Sequence, residues 1–347
     1  MGLHHPARRP GRHRRQRRRA LHCHRNTTAW ILNASTSVKQ IAKPCSAWPG
    51  VAADVVSDVR SYYDGQVFGA APTKGEVTKS ERWDGTGYQV ISSWEFDAYG
   101  RTTKSTDVQG GITTTAYTPA TGNPTTVTTT NKLNWVTTST LDTARGLATT
   151  EVGVNGERAD VAYDPLGRVV KVWTPGRAVT DTPNTEYSYV YNNQTPTVVT
   201  SKSLRDNGTY AVSYDLYDGF LRLRQSQTPG VVGGRLLTDN FYDVRGANSK
   251  VNGVYYNEDP PSATLFGVQD NAVPSQTVTE YDDLGRTTET ILKKYDVEQW
   301  RTKARYAGDN TFTTPPQGGV ATAVIKDARG AIVERREYDA PSPSGTY

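Results

Sequence analysis

Two pairs of adjacent acids, Asp282-Asp283 and Glu258-Asp259, are the residues best placed for paired general acid–base chemistry of the kind that opens a glycosidic bond. Neighbours on a strand point to opposite faces, and both pairs fall in turn or loop sequence, where an aspartate commonly shapes the backbone. Nucleophilic and metal chemistry lacks its parts. All five histidines (His4, His5, His13, His22, His24) lie in the first 25 residues, and the other 322 contain none. A Ser-His-Asp triad, a Cys-His pair or a His-ligated metal therefore has no imidazole in the body of the chain. Cys23 and Cys45 are too few for a zinc site or a disulfide framework, and a Cys23–Cys45 bond is the single pairing they allow. Gly85-Thr86-Gly87 lacks the third glycine of a dinucleotide-binding loop, and no phosphate-binding loop is present. Asn207-Gly208-Thr209 matches a glycosylation acceptor, a match expected by chance in so Thr-rich a chain. The expectation is a chain with no catalytic residues, no cofactor and no metal.

Charge is distributed as unevenly as histidine. The net charge is +5, yet residues 1–25 carry nine arginines and no acid. Removing those nine from the 40 basic residues leaves 31 against 35 acids, so the body is about −4. An Arg-rich arm binds polyanions by charge alone. No aromatic residue is interleaved for base stacking, so no specific nucleic-acid partner is expected and residues 1–25 read as a disordered basic tail. No apolar run approaches the roughly 18 residues of a membrane span. No apolar segment follows the basic N-terminus, so no signal peptide is visible.

The elements that would position any site come from a recurring phrase. Hydrophobic residues are 35% of the chain, below the roughly 45% of compact domains, while Gly (31) and Tyr (20) are abundant. That mixture favours strands and turns. Tyr163-Asp164-Pro165-Leu166-Gly167-Arg168 returns as Tyr281-Asp282-Asp283-Leu284-Gly285-Arg286, and as Phe96-Asp97-Ala98-Tyr99-Gly100-Arg101. Looser copies are Leu141-Asp142 to Gly146, Tyr217-Asp218-Gly219-Phe220-Leu221-Arg222, Tyr242-Asp243-Val244-Arg245-Gly246 and Lys326-Asp327 to Gly330, with a last start at Tyr338-Asp339. Each predicts a tight turn between two strands: Asp bonds backbone NH groups two residues on, and Gly three residues after Asp takes a positive φ.

The aspartates stand 45, 22, 54, 25, 39 and 45 residues apart. The unit is thus 22–25 residues, and the longer gaps hide degenerate copies at Tyr117 to Gly122, Tyr191-Asn192-Asn193 and Tyr306 to Asp309. Flanking residues alternate with period two, as in Trp300, Thr302, Ala304 and Tyr306, in Tyr187, Tyr189 and Tyr191, and in Tyr210, Val212 and Tyr214. Loops are expected after Tyr63-Asp64-Gly65 as far as Gly75, at Pro315 to Gly319, and as an insertion from Glu258 to Ser275. Ala52 to Val59 reads as a short helical turn.

The phrase Tyr-Asp-x-x-Gly-Arg in units of 20–25 residues resembles the YD repeat of the Rhs family, which teneurins and the C component of insecticidal toxin complexes share. The resemblance rests on Phe96, Asp97, Gly100 and Arg101; on Tyr163, Asp164, Gly167 and Arg168; and on Tyr281, Asp282, Gly285 and Arg286. Tyr217 and Asp218 are followed by Leu221 where Gly is expected, and Tyr242, Asp243 and Gly246 by Ala247 where Arg is expected. It implies an all-β fold, an antiparallel hairpin array forming a curved sheet strip that is part of a hollow β-shell. Such a shell encloses a C-terminal polypeptide, often a toxin, or is displayed at the cell surface, so a secreted or surface location is implied. Bacterial members carry an Asp-Pro-x-Gly element in the segment that cuts off the toxin. Asp164-Pro165-Leu166-Gly167 looks similar but sits mid-chain inside a turn phrase, and is assigned to the turn.

The expected organisation is a tail over residues 1–25, a lead-in over 26–60 and a YD-repeat region over 61–347, truncated at its C-terminal end. The expected role is structural and non-enzymatic, a shell segment around a cargo supplied elsewhere. The alternative is a secreted or surface module that binds glycans or proteins through Trp83, Trp94, Trp135, Trp173, Trp300 and the tyrosine-rich strand faces.

Overall fold

The computed structural model describes residues 18–42, 51–327 and 330–347. They hold twenty-four strands, two short 3-10 turns (Ala52–Asp54 and Asp270–Ala272) and no α-helix among the described residues. The chain divides into two compact units, residues 1–159 and 160–347.

In the first unit the strands are Arg18–Asn26 (β1), Ile31–Ile41 (β2), Val55–Tyr63 (β3), Val77–Trp83 (β4), Tyr88–Phe96 (β5), Thr102–Thr106 (β6), Ile112–Thr118 (β7), Thr126–Thr130 (β8), Val136–Asp142 (β9) and Leu147–Val152 (β10). Each pairs antiparallel with the next. The division between the units falls within Arg158–Tyr163 (β11). The second unit continues with Val169–Trp173 (β12), Thr185–Val190 (β13), Thr197–Leu204 (β14), Tyr210–Tyr217 (β15), Leu223–Pro229 (β16), Arg235–Tyr242 (β17) and Asn248–Asn257 (β18). Gln276–Tyr281 (β19), Thr287–Lys294 (β20), Val297–Ala307 (β21), Asn310–Thr314 (β22), Ala321–Lys326 (β23) and Ile332–Tyr338 (β24) complete it. Here too every strand pairs antiparallel with its successor. This is the hairpin array that the recurring phrase predicts: antiparallel neighbours need only a short turn between them.

Three boundaries differ from the sequence reading. Disorder was expected across 1–25, but Arg18 to Asn26 form β1, with Arg18 opposite Ile41 and Leu21 opposite Val38. Composition registers the charge of this segment; it does not register the unpaired backbone edge of β2 that the segment completes. Residues 1–17 lie outside the described residues. The boundary placed at residue 60 falls inside β3, which pairs with β2 on one side and β4 on the other. Within 52–59, helical geometry is confined to Ala52–Asp54, because the β-branched Val55, Val56 and Val59 suit a strand better. The three expected loops lie between strands: residues 64–76 after β3, residues 258–275 after β18, and residues 315–320 after β22.

Packing is shallow. The apolar clusters are Leu237, Tyr255 and Val273 with Phe266 and Val268 against them, and Ala321, Ala323 and Tyr338 with Phe312. Most other strand positions are half-buried on both faces, which is why a chain with so little Leu and Ile can form them. Stability must then come from backbone ladders, turns and cross-strand side chains.

Candidate functional site

The repeated turn builds one geometry many times. At Asp164 the backbone N–H donates to Arg168 O at 2.9 Å and Gly167 N–H returns to Asp164 O at 2.9 Å. The carboxylate Oδ1 accepts from the N–H groups of Leu166 (2.9 Å) and Arg168 (3.0 Å), and Oδ2 accepts from the Arg168 guanidinium at 2.6 Å. Gly167 has φ +79°. Asp97 with Arg101 and Asp282 with Arg286 repeat this pattern atom for atom. The carboxyls are held below the usual carboxylate range. At Asp282 the Arg286 side-chain and backbone hydrogen bonds dominate; at Asp97 and Asp164 lost hydration opposes the shift and the arginine's backbone and side-chain hydrogen bonds outweigh it. Just beyond each turn the register slips by one residue, as between Ala162 and Tyr163, Glu95 and Phe96, and Glu280 and Tyr281. That slip is a β-bulge, which raises local twist. Thr103 and Ser249, at bulged positions, donate to the carbonyls of Glu95 and Phe241 across the ladder.

The arginine does more than neutralise its own aspartate. Its guanidinium lies 4.3 Å from the ring centroid of the tyrosine one unit on: Arg101 over Tyr117, Arg168 over Tyr189, Arg222 over Tyr242 and Arg286 over Tyr306. Each of those tyrosines donates its hydroxyl back to the carbonyl just after the arginine: Thr102, Val169, Leu223 and Thr287, at 2.8–3.0 Å. An Asp–Arg–Tyr relay thus clips four of the hairpins to their neighbours. In a meander of consecutive strands, turns alternate between the two edges, so within each unit the turns that carry the recurring phrase and its degenerate copies share one edge.

Departures from the phrase are compensated locally. Leu221 occupies the glycine position with φ +57° and 60% exposure. Arg245 and Arg145, each just before the glycine, bind Asp243 and Asp142 in place of an arginine after it. Arg245 also donates to Asp282 O of the following hairpin at 2.7 Å. Sequence reasoning missed that the opposite edge uses the same five-residue turn without Tyr and Arg, at Asp107–Gly111, Asn131–Trp135 and Gly153–Glu157. The legible signal was Asp, Asn or Gly followed three residues later by Gly or Asn.

The residues considered for chemistry are engaged elsewhere or far apart in role. Asp282 is consumed by its turn, while Asp283 is exposed beside it. Asp259 lies 3.4 Å from Arg235, and Glu258 is exposed. The Asn207 amide oxygen accepts from Thr209 N and Oγ1, at 3.0 and 2.7 Å. Trp173 is buried and donates to Asp181 O, Trp83 packs on Tyr88 at 5.2 Å, and Trp135 and Trp300 are exposed. A groove of about 730 Å³ runs between the 191–196 turn and the 217–222 turn. Its charged residues are already paired, Asp218 with Arg222 and Arg224 with Asp239. No cluster of metal-ligating side chains exists among the described residues.

The densest polar site was not anticipated. It lies under residues 258–275, on the faces of β16, β17 and β18. Gln225, Gln227, Asn252, Asp239 and Arg235 alternate along these strands and are all buried. Asp239 accepts from Arg224 (3.0 Å), Gln225 (2.7 Å), Asn252 (3.0 Å) and Tyr255 (2.8 Å), so its buried charge is fully met. Burial, then the hydrogen bond to Asp239, push the Tyr255 hydroxyl well above its ordinary range. Arg235 binds Asn257 at 2.9 Å and Gln227 at 2.9 Å, with the Phe266 ring 4.8 Å away. The available signal was glutamine at period two in a strand, close to a proline-rich insertion.

With this geometry in view, comparison with solved structures is informative. The chain superposes on the crystal structure of TcdB2-TccC3 with a TM-score of 0.65 and 12% identity, over 92% of this chain and 22% of that chain. The TcdB2-TccC3-Cdc42 crystal structure matches with the same score and identity, covering 24% of that chain. The form without the hypervariable C-terminal region matches at 0.65 with 11% identity. The chain therefore spans about a quarter or less of those solved chains, and identity so low carries the fold alone. That fold is the all-β strip of antiparallel hairpins that the turn phrases predict. No protein-family model matches the chain, and no curated protein matches it.

Proposed function

We propose that this chain is a stretch of wall in a YD-repeat β-shell, which encloses or presents a polypeptide cargo and performs no catalysis itself. The observation that carries this reading is the Asp–Arg–Tyr relay, repeated at four hairpins with the same 4.3 Å stacking distance. It spends the conspicuous acids and bases of the sequence on holding hairpin to hairpin. The fold likeness to TcdB2-TccC3 adds the context of a shell. A secreted or cell-surface location belongs to the same proposal. No helix of the described residues is long and apolar enough to cross a membrane.

Protease protection tests it. In the complete gene product that contains this chain, an enclosed polypeptide should survive proteinase until urea opens the wall. Digestion of every segment at the rate of an unfolded control, with the β-type circular dichroism signal intact, would remove encapsulation from the reading.

A further inference from the structure

The polar row under residues 258–275 is arranged to hold main chain. Gln225 and Gln227 stand two apart on β16 and share a face, at a spacing of about 6.6 Å, the two-residue repeat of an extended chain. Gln225 exchanges two bonds with one residue of the loop: Phe266 N–H donates to Oε1 at 3.0 Å, and Nε2 donates to Phe266 O at 2.8 Å. Gln227 Nε2 donates to Thr264 O at 2.8 Å, and its Oε1 accepts from Ser262 N–H at 2.9 Å. All four bonds go to backbone atoms, so they read no side chain of the loop.

The row is also set from behind. Gln225 donates to Asp239, Gln227 donates to Gln225 Oε1 at 2.8 Å, and Arg235 donates to Gln227 Oε1. These partners dictate which end of each amide faces where. Both glutamines are fully buried, and their amides bond residues 262–266 at the two-residue pitch of an extended polypeptide. The segment they hold is also tied by Arg235, which reaches Pro260 O at 3.4 Å, Ser262 Oγ at 3.3 Å and Asp259 at 3.4 Å. Ala263, Thr264, Leu265 and Gly267 are exposed, and Phe266 and Val268 are its apolar anchors.

We propose that the glutamine row is a binding site for extended polypeptide main chain, with residues 262–266 as its resident occupant. Displacing that segment opens the row to an unfolded chain of arbitrary sequence. The proposal rests on the wall reading for its purpose, since main-chain contacts would let a wall hold an enclosed polypeptide without selecting its sequence; its chemistry rests on Gln225 and Gln227.

The test uses the full chain with the loop opened in two ways: residues 259–268 replaced by Gly-Ser-Gly, and Phe266→Pro, which removes the N–H that Gln225 accepts. The probe is fluorescein-labelled, reduced and carboxymethylated α-lactalbumin, read by anisotropy. Both opened variants should bind it at least tenfold more tightly than the parent chain. Adding Gln225→Leu with Gln227→Leu should abolish the gain, and native α-lactalbumin should not bind. Opened variants that keep their β signal yet bind no better than the parent, or that bind without the two glutamines, overturn the proposal. If both opened variants lose the β signal, the loop is part of the wall and not a ligand, and the proposal falls equally. Binding by opened variants together with failed protease protection would keep the row and remove the wall reading; the opposite pair of results would do the reverse.

Discussion

Leu221 isolates what the turn asks of a single residue. It stands where the turns at Asp97, Asp164, Asp243 and Asp282 carry glycine, in the left-handed region at φ +57°. That conformation costs a non-glycine residue about 1–2 kcal/mol, and the side chain is 60% exposed, so little burial is returned. Glycine there adds about 0.4–1 kcal/mol of unfolded-chain entropy. Relief of strain is the larger effect, so Leu221→Gly should stabilise the chain by about 0.5–1 kcal/mol. The converse substitution, Gly167→Val at φ +79°, should destabilise it by about 2 kcal/mol, since a β-branched residue resists positive φ most. Urea midpoints of the two variants give the answer, and a destabilised Leu221→Gly variant would show that the groove contacts of Leu221 outweigh its strain.

At the scale of the hairpin, the relay makes neighbouring units interdependent. Tyr306→Phe keeps the ring under Arg286 and removes the hydroxyl bond to Thr287 O, which should cost about 1 kcal/mol. Arg286→Met removes the cation from the ring, and a double-mutant cycle with Tyr306→Leu should return a coupling of about 0.5–1 kcal/mol. The same cycle between Arg286 and Tyr242, which stacks on Arg222 instead, should return none. Equal couplings in the two cycles would mean that the stacking is incidental to how hairpins are joined.

Across the whole molecule the turns share one predicted dependence on pH. Asp97, Asp142, Asp164, Asp218, Asp243 and Asp282 all have lowered carboxyl pKa values, and backbone N–H groups bring Asp84 down to about 2. A folded-state value below the unfolded one, about 3.9, means that the unfolded chain binds more protons as the pH falls. The turns therefore contribute stability in full above about pH 5, and that stability is lost as the pH drops through 4 toward the depressed folded values. The melting temperature should be level from pH 7 to 5 and fall steeply below 4. Asp97→Asn with Asp282→Asn should lower the plateau and flatten the slope. A melting temperature indifferent to pH down to 3 would show that these carboxylates do not hold the fold as anions.

What the sequence determined by itself was local. Period-two aromatics and an Asp followed three residues later by Gly specify strand, turn and strand without reference to distant residues, so the hairpin array, the hidden copies near Tyr117, Tyr191 and Tyr306, and the loop from Glu258 to Ser275 were all legible. What only the tertiary structure decided were contacts whose partners lie a unit or more apart. Arg168 meets Tyr189 because strand register brings them together, Arg18 to Asn26 become a strand because β2 offers an open edge, and Gln225 meets Phe266 because a loop folds back across three strands. Periodicity specifies which face a side chain takes; it does not specify what arrives to cover that face.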